Sequence, residues 1–429
     1  MSERVRWTWS RVRGPLLALS LFTASAVAAA CTENLEGGAA CPSLCPEQSE
    51  QFRDTIIEAV ALDTSLGGFP VLALGSNLVL ANRPDTLVTR AVIRFDQLIT
   101  AFSPNGGALV DSITTVDSVF LKVPLDTTGR RGASPIAVQV YDVDTTANDS
   151  TTSVVRSLFR VDRLIGQVTV TPNTTGDTLR IPLSRTAMQA KIAAKGRLRV
   201  GLRLSGPGQL RLRAFTLGSG SSTLQFDPAT DTLYRPIVVT AGTTLSGASP
   251  EVNLAYTVYP ITDVGSLPPG PNTLVVGGYP AYRSYLRFNV PLRITDSSTI
   301  VRADLLLTQQ PSRFTNAADT VAVFPLVPST TVDVTDLRRV LDLAAEGTLT
   351  GLDTTRFVPR DSGQKALNVL GLARTWRSLP TNVPRALALR IGLEGSQPAE
   401  LRFFSRTAPA ALRPKLRISY LPKSEFVLP

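Results

Sequence analysis

The sequence predicts an all-β protein: two tandem jelly-roll-like antiparallel β-sandwiches with a few short helices. Three observations carry this. Short runs alternate apolar and polar residues, as in Arg197 to Leu204 (RLRVGLRL), where Leu198, Val200, Leu202 and Leu204 share one side. Clusters of Thr, Asp, Ser, Gly and Pro punctuate the runs at the spacing of sandwich turns. And the chain matches itself three times in the same order. AVIRFDQL (91–98) answers SYLRFNVPL (284–292), TLRIPLSRTAM (178–188) answers ALNVLGLARTW (366–376), and YRPIVVT (234–240) answers LRPKLRISY (412–420). With 43% apolar and 18% charged residues, a chain of 429 residues has the composition to bury cores of this kind.

The first 30 residues read as an export signal. Arg4, Arg6, Arg11 and Arg13 precede an apolar run from Leu16 to Ala30 that is too short to serve as a permanent membrane span. The run ends Val27-Ala28-Ala29-Ala30-Cys31, which resembles the lipobox of bacterial lipoproteins, although Ala28 stands where Leu is usual. The resemblance implies cleavage before Cys31 and a lipid on its sulfur. Thr32, not Asp, follows the cysteine, which resembles the pattern for sorting to the outer membrane. An ordinary secretory peptide cut at the same alanines is the alternative, and both readings export the chain. Residues 31–51 read as a tether, and Cys41 and Cys45 are placed for a local disulfide.

The first sandwich is expected over 52–243, opening at Thr55-Ile56-Ile57, with strands at 118–125, 136–143, 197–204 and 210–213. The turn SGPGQ (205–209) is read as joining the last two into a hairpin. The second is expected over 250–422, opening at NLAYTVYPIT (253–262), with strands at 300–307, 320–327, 385–393 and 400–405 and a tail at 423–429. Helices are expected at Thr335 to Glu346, with Thr335 as N-cap, and at Leu370 to Arg377.

Arg287-Phe288-Asn289, the strand Val301 to Leu307, Trp376 and the closing Arg413-Pro414 strand resemble the DNRLRE-domain family of secreted bacterial β-sandwiches, which are related to carbohydrate-binding modules. The first copy is more degenerate, with Met188 in the place of Trp376. The resemblance implies a sandwich fold; its motifs are mostly core positions and bear on fold much more than on function.

Histidine is absent, which excludes Ser-His-Asp, Cys-His and the common zinc-hydrolase mechanisms. Three candidate sites remain. Arg197, Arg199, Arg203, Arg211 and Arg213 are expected on one outward face of the hairpin, where guanidinium groups suit an anionic polymer. Only six of the 44 cations are lysines, so a solvated arginine face is the competing reading. Tyr256, Tyr259, Tyr279, Tyr282 and Tyr285 cluster in the second copy and offer rings for sugar stacking, against ordinary packing between strands. Asp142, Asp144 and Asp149 are a weak calcium candidate without EF-hand spacing, against a solvated turn.

The function this supports is an exported, lipid-anchored envelope protein with a binding or scaffolding role. No cofactor, metal, nucleic acid or catalytic residue is expected, and a polysaccharide or lipopolysaccharide is the expected ligand class. A pure spacer and a His-independent polysaccharide-degrading enzyme are the alternatives.

Overall fold

In the computed structural model, the described residues are 52–422, apart from 59, 70–76, 132–134, 148–150, 172–176, 214–219, 234, 243–255, 314–320, 327–335, 344–354, 393 and 395–396. Cys31, Cys41, Cys45, Asp149 and Thr335 lie outside them, as do the signal, the tether, the tail and the expected domain boundary. The strands are, in order, β1 (Arg53–Ile57), β2 (Val60–Phe69), β3 (Asn77–Arg83), β4 (Leu87–Phe95), β5 (Ala101–Phe102), β6 (Asp111–Ser112), β7 (Val116–Arg131) and β8 (Ile136–Asp142). Next come β9 (Leu164–Val170), β10 (Thr178–Pro182), β11 (Leu198–Leu204), β12 (Gly208–Arg213), β13 (Thr223–Pro228), β14 (Ile237–Thr240), β15 (Val258–Val264) and β16 (Thr273–Gly278). The last are β17 (Ala281–Phe288), β18 (Ser298–Gln310), β19 (Val321–Leu326), β20 (Thr355–Phe357), β21 (Gly363–Asn368), β22 (Arg385–Ile391), β23 (Glu400–Phe404) and β24 (Lys415–Pro422). Short helices α1 (Thr152–Ser157), α2 (Arg185–Ala193), α3 (Leu292–Thr295), α4 (Leu337–Leu343) and α5 (Leu370–Thr375) interrupt them.

The protein is an all-β sandwich fold with two large antiparallel sheet systems. One runs β14-β13-β7-β12-β3-β4-β11-β8-β9, with β10 on β7 and β15 on β4. The other runs β1-β24-β18-β23-β16-β17-β22-β19-β20, with β2 on β17 and β21 on β18. Each wraps its own core. Leu198, Val200, Leu202 and Leu204 meet Leu121, Val123, Ile93 and Phe95 in the first, the inward side that alternation predicts. Leu305, Leu307, Leu387, Leu389 and Trp376 fill the second.

The ladders of the two systems match in register. β7 pairs with β13 across a bulge that skips Asp117, and β18 pairs with β24 across a bulge that skips Val301. β4 pairs with β15 across a bulge that skips Asp263, and β17 pairs with β2 across a bulge that skips Gly68. A bulge fixes register to the residue, so β13 corresponds to β24, β14 to β1, and β15 to β2.

This correspondence reassigns the ends of both copies. Thr55-Ile56-Ile57, expected to open the first sandwich, pairs with β24 of the second. β15, from the run expected to open the second sandwich, pairs with β4 of the first. The first sandwich is thus contiguous from β3 to β15, and the second is built from β16 to β24 and closed by β1 and β2. Nor are YRPIVVT and LRPKLRISY equivalent, because β24 holds the place of β13, not of β14. Both segments are short alternating strands after Arg-Pro, and alternation marks a strand without naming its neighbour.

The sandwiches touch at a small apolar cluster of Val79, Ala81 and Leu87 from one and Tyr279 from the other. Arg313 adds hydrogen bonds to the carbonyls of Asp85 and Thr86 at 3.4 Å and to that of Gly265. Among the described residues, no helix is long and apolar enough to cross a membrane.

Candidate functional site

β11 and β12 do not form a hairpin. β3 and β4 lie between them in the sheet, so Ser205 to Gly208 carries the chain across rather than back. The five arginines therefore form no compact patch: Arg199, Arg203, Arg211 and Arg213 lie on the side of the sheet away from the core, but two strands separate the last two from the others. Arg199 is buried on β11, across from the equally buried Arg94 of β4. Arg197 pairs with Asp144 at 2.8 Å and Arg211 with Asp126 at 2.8 Å, while Arg203 and Arg213 are exposed. The alternation identified the core side correctly, but sequence does not show whether a turn returns within a sheet or crosses it.

The tyrosines also disperse. Tyr256 and Tyr259 stack edge to face in the first sandwich, with ring centroids 5.6 Å apart. Tyr285 packs on the outer side of the second, and Tyr279 fills the contact between the two, where burial raises its hydroxyl above the ordinary range. Tyr282 is half-buried against Gly67. No shared platform results.

Asp142 and Asp144 are bridged by the Lys191 ammonium at 3.1 and 3.0 Å. Burial works to raise the Asp144 carboxyl, but Lys191 and Arg197 outweigh it and hold the group below its ordinary value. Arg163 donates to the carbonyls of both residues, at 2.9 and 3.1 Å. Three side-chain cations thus surround the oxygens of this turn. Among the described residues, no group of three or more His, Cys, Asp or Glu could hold a metal ion.

What the structure brings together instead is an arginine clamp, built once in each sandwich on the outer side of the strand that bears the Arg-Phe motif. Arg90 lies across from Ile261 of β15, and Arg283 lies across from Leu66 of β2, so the two occupy the same ladder position. Each donates to a main-chain carbonyl of the helix above it: Arg90 to Arg156 of α1 at 3.2 Å, Arg283 to Leu341 of α4. Each pairs with an acid: Arg90 with Asp263 at 2.8 Å, Arg283 with Glu394 through Nε and Nη2. Each also lies over a phenylalanine ring: Arg90 over Phe159 at 4.8 Å, Arg283 over Phe69 at 4.2 Å.

A second arginine in each sandwich comes down from the covering helix. Arg156 of α1 donates to the Thr262 carbonyl at 3.1 Å, and Arg338 of α4 donates to the Gly67 carbonyl at 2.5 Å. Thr262 and Gly67 are the residues just before the equivalent bulges, where the ladder leaves carbonyls without strand partners. Arg338 also reaches the Gly68 carbonyl at 3.1 Å and lies 4.3 Å from the Phe69 ring centroid. Gly68 sits at φ +93°, a conformation that favours glycine, so the bulge in β2 depends on that residue.

The clamp holds the closing strand of each sandwich, β15 in one and β2 in the other. The charge of the inner arginine is desolvated: burial pulls Arg90 below its ordinary value, and Asp263 opposes the shift. Arg283 is 2% exposed and its partner Glu394 6%, which makes theirs a buried ion pair. The signal for this site was in the sequence. TRAVIRF (89–95) and YRSYLRF (282–288) share an arginine four residues before the Arg-Phe pair, and the self-match extends to it. Arg156 and Arg338 had no such signal, because the residues around them do not match.

Hydroxyls at different ladder positions complete the two hairpins that carry the clamp. Where β4 leaves β3, Thr89 donates to the Val79 carbonyl at 2.5 Å and accepts from the Ala81 amide at 2.9 Å. Where β17 leaves β16, Ser284 donates to the Val275 carbonyl at 2.8 Å, while Ser65 of β2 accepts from the Val275 amide at 2.9 Å. Buried backbone groups need partners, and these hydroxyls supply them where the ladder parts.

No protein-family model and no curated protein matches the sequence. Among solved structures, infectious bursal virus derived T=1 particles align over 87% of this chain and 74% of that chain, at 10% identity and a TM-score of 0.11. The infectious bursal disease virus VP2 subviral particle aligns over 87% and 76%, at 10% identity and a TM-score of 0.10. Likeness at that level carries no argument.

Proposed function

We propose that this chain is an exported outer-membrane lipoprotein of the DNRLRE-domain type, anchored through Cys31, whose two sandwiches do non-catalytic scaffolding work. The observation that carries the reading is the use to which the chain puts its charge. Clamp arginines, Lys191 and Arg197 are spent on internal carboxylates and carbonyls that hold strands in place. The segment following the expected tether is itself woven into the second sandwich, so a pull on the anchor acts along β1 and β2 in shear against their ladders. A body built this way suits a load-bearing spacer.

A second reading, binding of an anionic glycan, is favoured by the exposed Arg203 and Arg213. One experiment addresses both. The full chain is expressed in a Gram-negative host and fractionated beside a Cys31→Ala variant, and the released variant is passed over a panel of envelope and plant polysaccharides. The scaffold reading expects loss of the membrane fraction in the variant and no saturable retention on any polymer. Retention that falls with Arg203→Ser and Arg213→Ser would replace it with the glycan reading, and a variant that stays with the membrane would remove the anchor.

A further inference from the structure

The second sandwich is completed by residues that precede the whole first sandwich in sequence. Ser65 and Ser284 meet at 2.8 Å although 219 positions separate them. The equivalent strands of the first sandwich, β14 and β15, follow β13 in the chain. The closing segment of the second sandwich is thus a peptide-like element lying in a seat that the rest of that sandwich forms.

The seat is specific along its length. Ile57 and Val60 enter the core. Asp63 accepts from the Arg406 amide at 2.6 Å and lies 3.3 Å from the Arg406 guanidinium. Ser65 satisfies the Val275 amide. At Gly67 a Cβ would stand 2.8 Å from ring carbons of Tyr282, so a larger residue does not fit without displacing that ring. Phe69, 1% exposed, has the guanidinium groups of Arg283 and Arg338 at 4.2 and 4.3 Å from its ring centroid. Strand addition of this kind takes affinity from the ladder and selectivity from the side-chain pockets.

We propose that the second sandwich is a strand-acceptor site whose ligand is the extended segment Arg53–Phe69, and that a second copy of this chain supplies that segment in trans. All of the seat's contacts are made with the segment itself, so they are chemically the same whichever copy provides it. What favours cis closure is effective concentration, and a second copy competes with it as the protein concentration rises.

The test uses the full chain with Cys31→Ala, Cys41→Ser and Cys45→Ser, so that no native thiol interferes. Asp54 of β1 lies directly across from Ser419 of β24, with Asp54 exposed and Ser419 outside the core. One chain carries Asp54→Cys and another Ser419→Cys. The two are mixed, taken through the unfolding midpoint of the second sandwich, returned to native conditions and oxidised. The expected result is a disulfide dimer of unlike chains in excess over both like-chain dimers, lost when the donor chain also carries Gly67→Val. A double variant, Asp54→Cys with Ser419→Cys, should cross-link within one chain. If it does so and no excess of unlike dimers forms, exchange in trans is overturned. Failure of the double variant to cross-link would overturn the seat itself, and an unlike dimer that survives Gly67→Val would overturn its selectivity.

Discussion

Arg283 and Glu394 show what a buried charge does at the residue scale. Removing one partner leaves the other desolvated and unpaired, at a cost of about 3–5 kcal/mol, whereas replacing both by apolar residues is often nearly neutral. Arg283→Met is therefore expected to lower the denaturation midpoint of the second sandwich sharply, and Arg283→Met with Glu394→Leu to recover most of it. Trp376 reports this directly: it is fully buried in that core, and the other tryptophans are Trp7 and Trp9. Two carboxylates titrate with opposite sign. Asp144 is held below its ordinary value of 3.8, so its contribution is complete above that pH and is lost as pH falls through the depressed folded value. Lys191→Met is expected to move its titration upward, read by NMR of the carboxyl carbon. Asp63 is raised, chiefly by burial and against the pull of Arg406, so its protonation favours the folded state and its ionisation opposes it as pH climbs through the folded value. Arg406→Ala is expected to raise it further. The cations that hold these groups were visible in the sequence as single residues. Their partners were not, because Lys191 and Asp144 sit on different elements that only the packing of α2 against the turn after β8 brings together.

At the scale of elements, the sequence was most legible where burial imposes a period. β11, β22, β18 and the short helix α5 fall where alternation and helical spacing put them, because one face of each must meet a core. α2 was missed although Ser184 caps it, accepting from the Ala187 amide at 3.3 Å; its apolar content is a few residues, among them Met188 and Ile192. The turn at 205–209 does not make a hairpin because Gly and Pro mark a change of direction without fixing which strand the next one pairs with. The clamp belongs to this scale as well. Gly67→Val is expected to loosen β2 without touching the core, so that backbone amides of β2 and β17 lose hydrogen-exchange protection while those of β11 keep theirs. Tyr282→Ala should restore part of that protection by clearing the ring from the path of the new side chain.

For the whole molecule, closure by β1 and β2 makes the second sandwich depend on the start of the described chain. A chain lacking residues 1–69 is expected to leave the edges of β17 and β24 without their partners. Trp376 fluorescence should then show a less stable second sandwich, and the aggregation of exposed strand edges should accompany it. The first sandwich, contiguous from β3 to β15, should retain its protection in the same sample.

The sequence by itself determined the all-β class, the inward face of each major strand and the existence of a second, similar set of strands. All three follow from local alternation and from residues close together in the chain. Only the tertiary structure decided which strand closes which sandwich, where the arginines go, and that the repeated chemistry is a clamp and not a ligand face. Those outcomes depend on pairings across hundreds of residues, between β1 and β24, β2 and β17, and β15 and β4. A strand's pattern states that one of its faces must be buried; it carries no record of the partner that buries it.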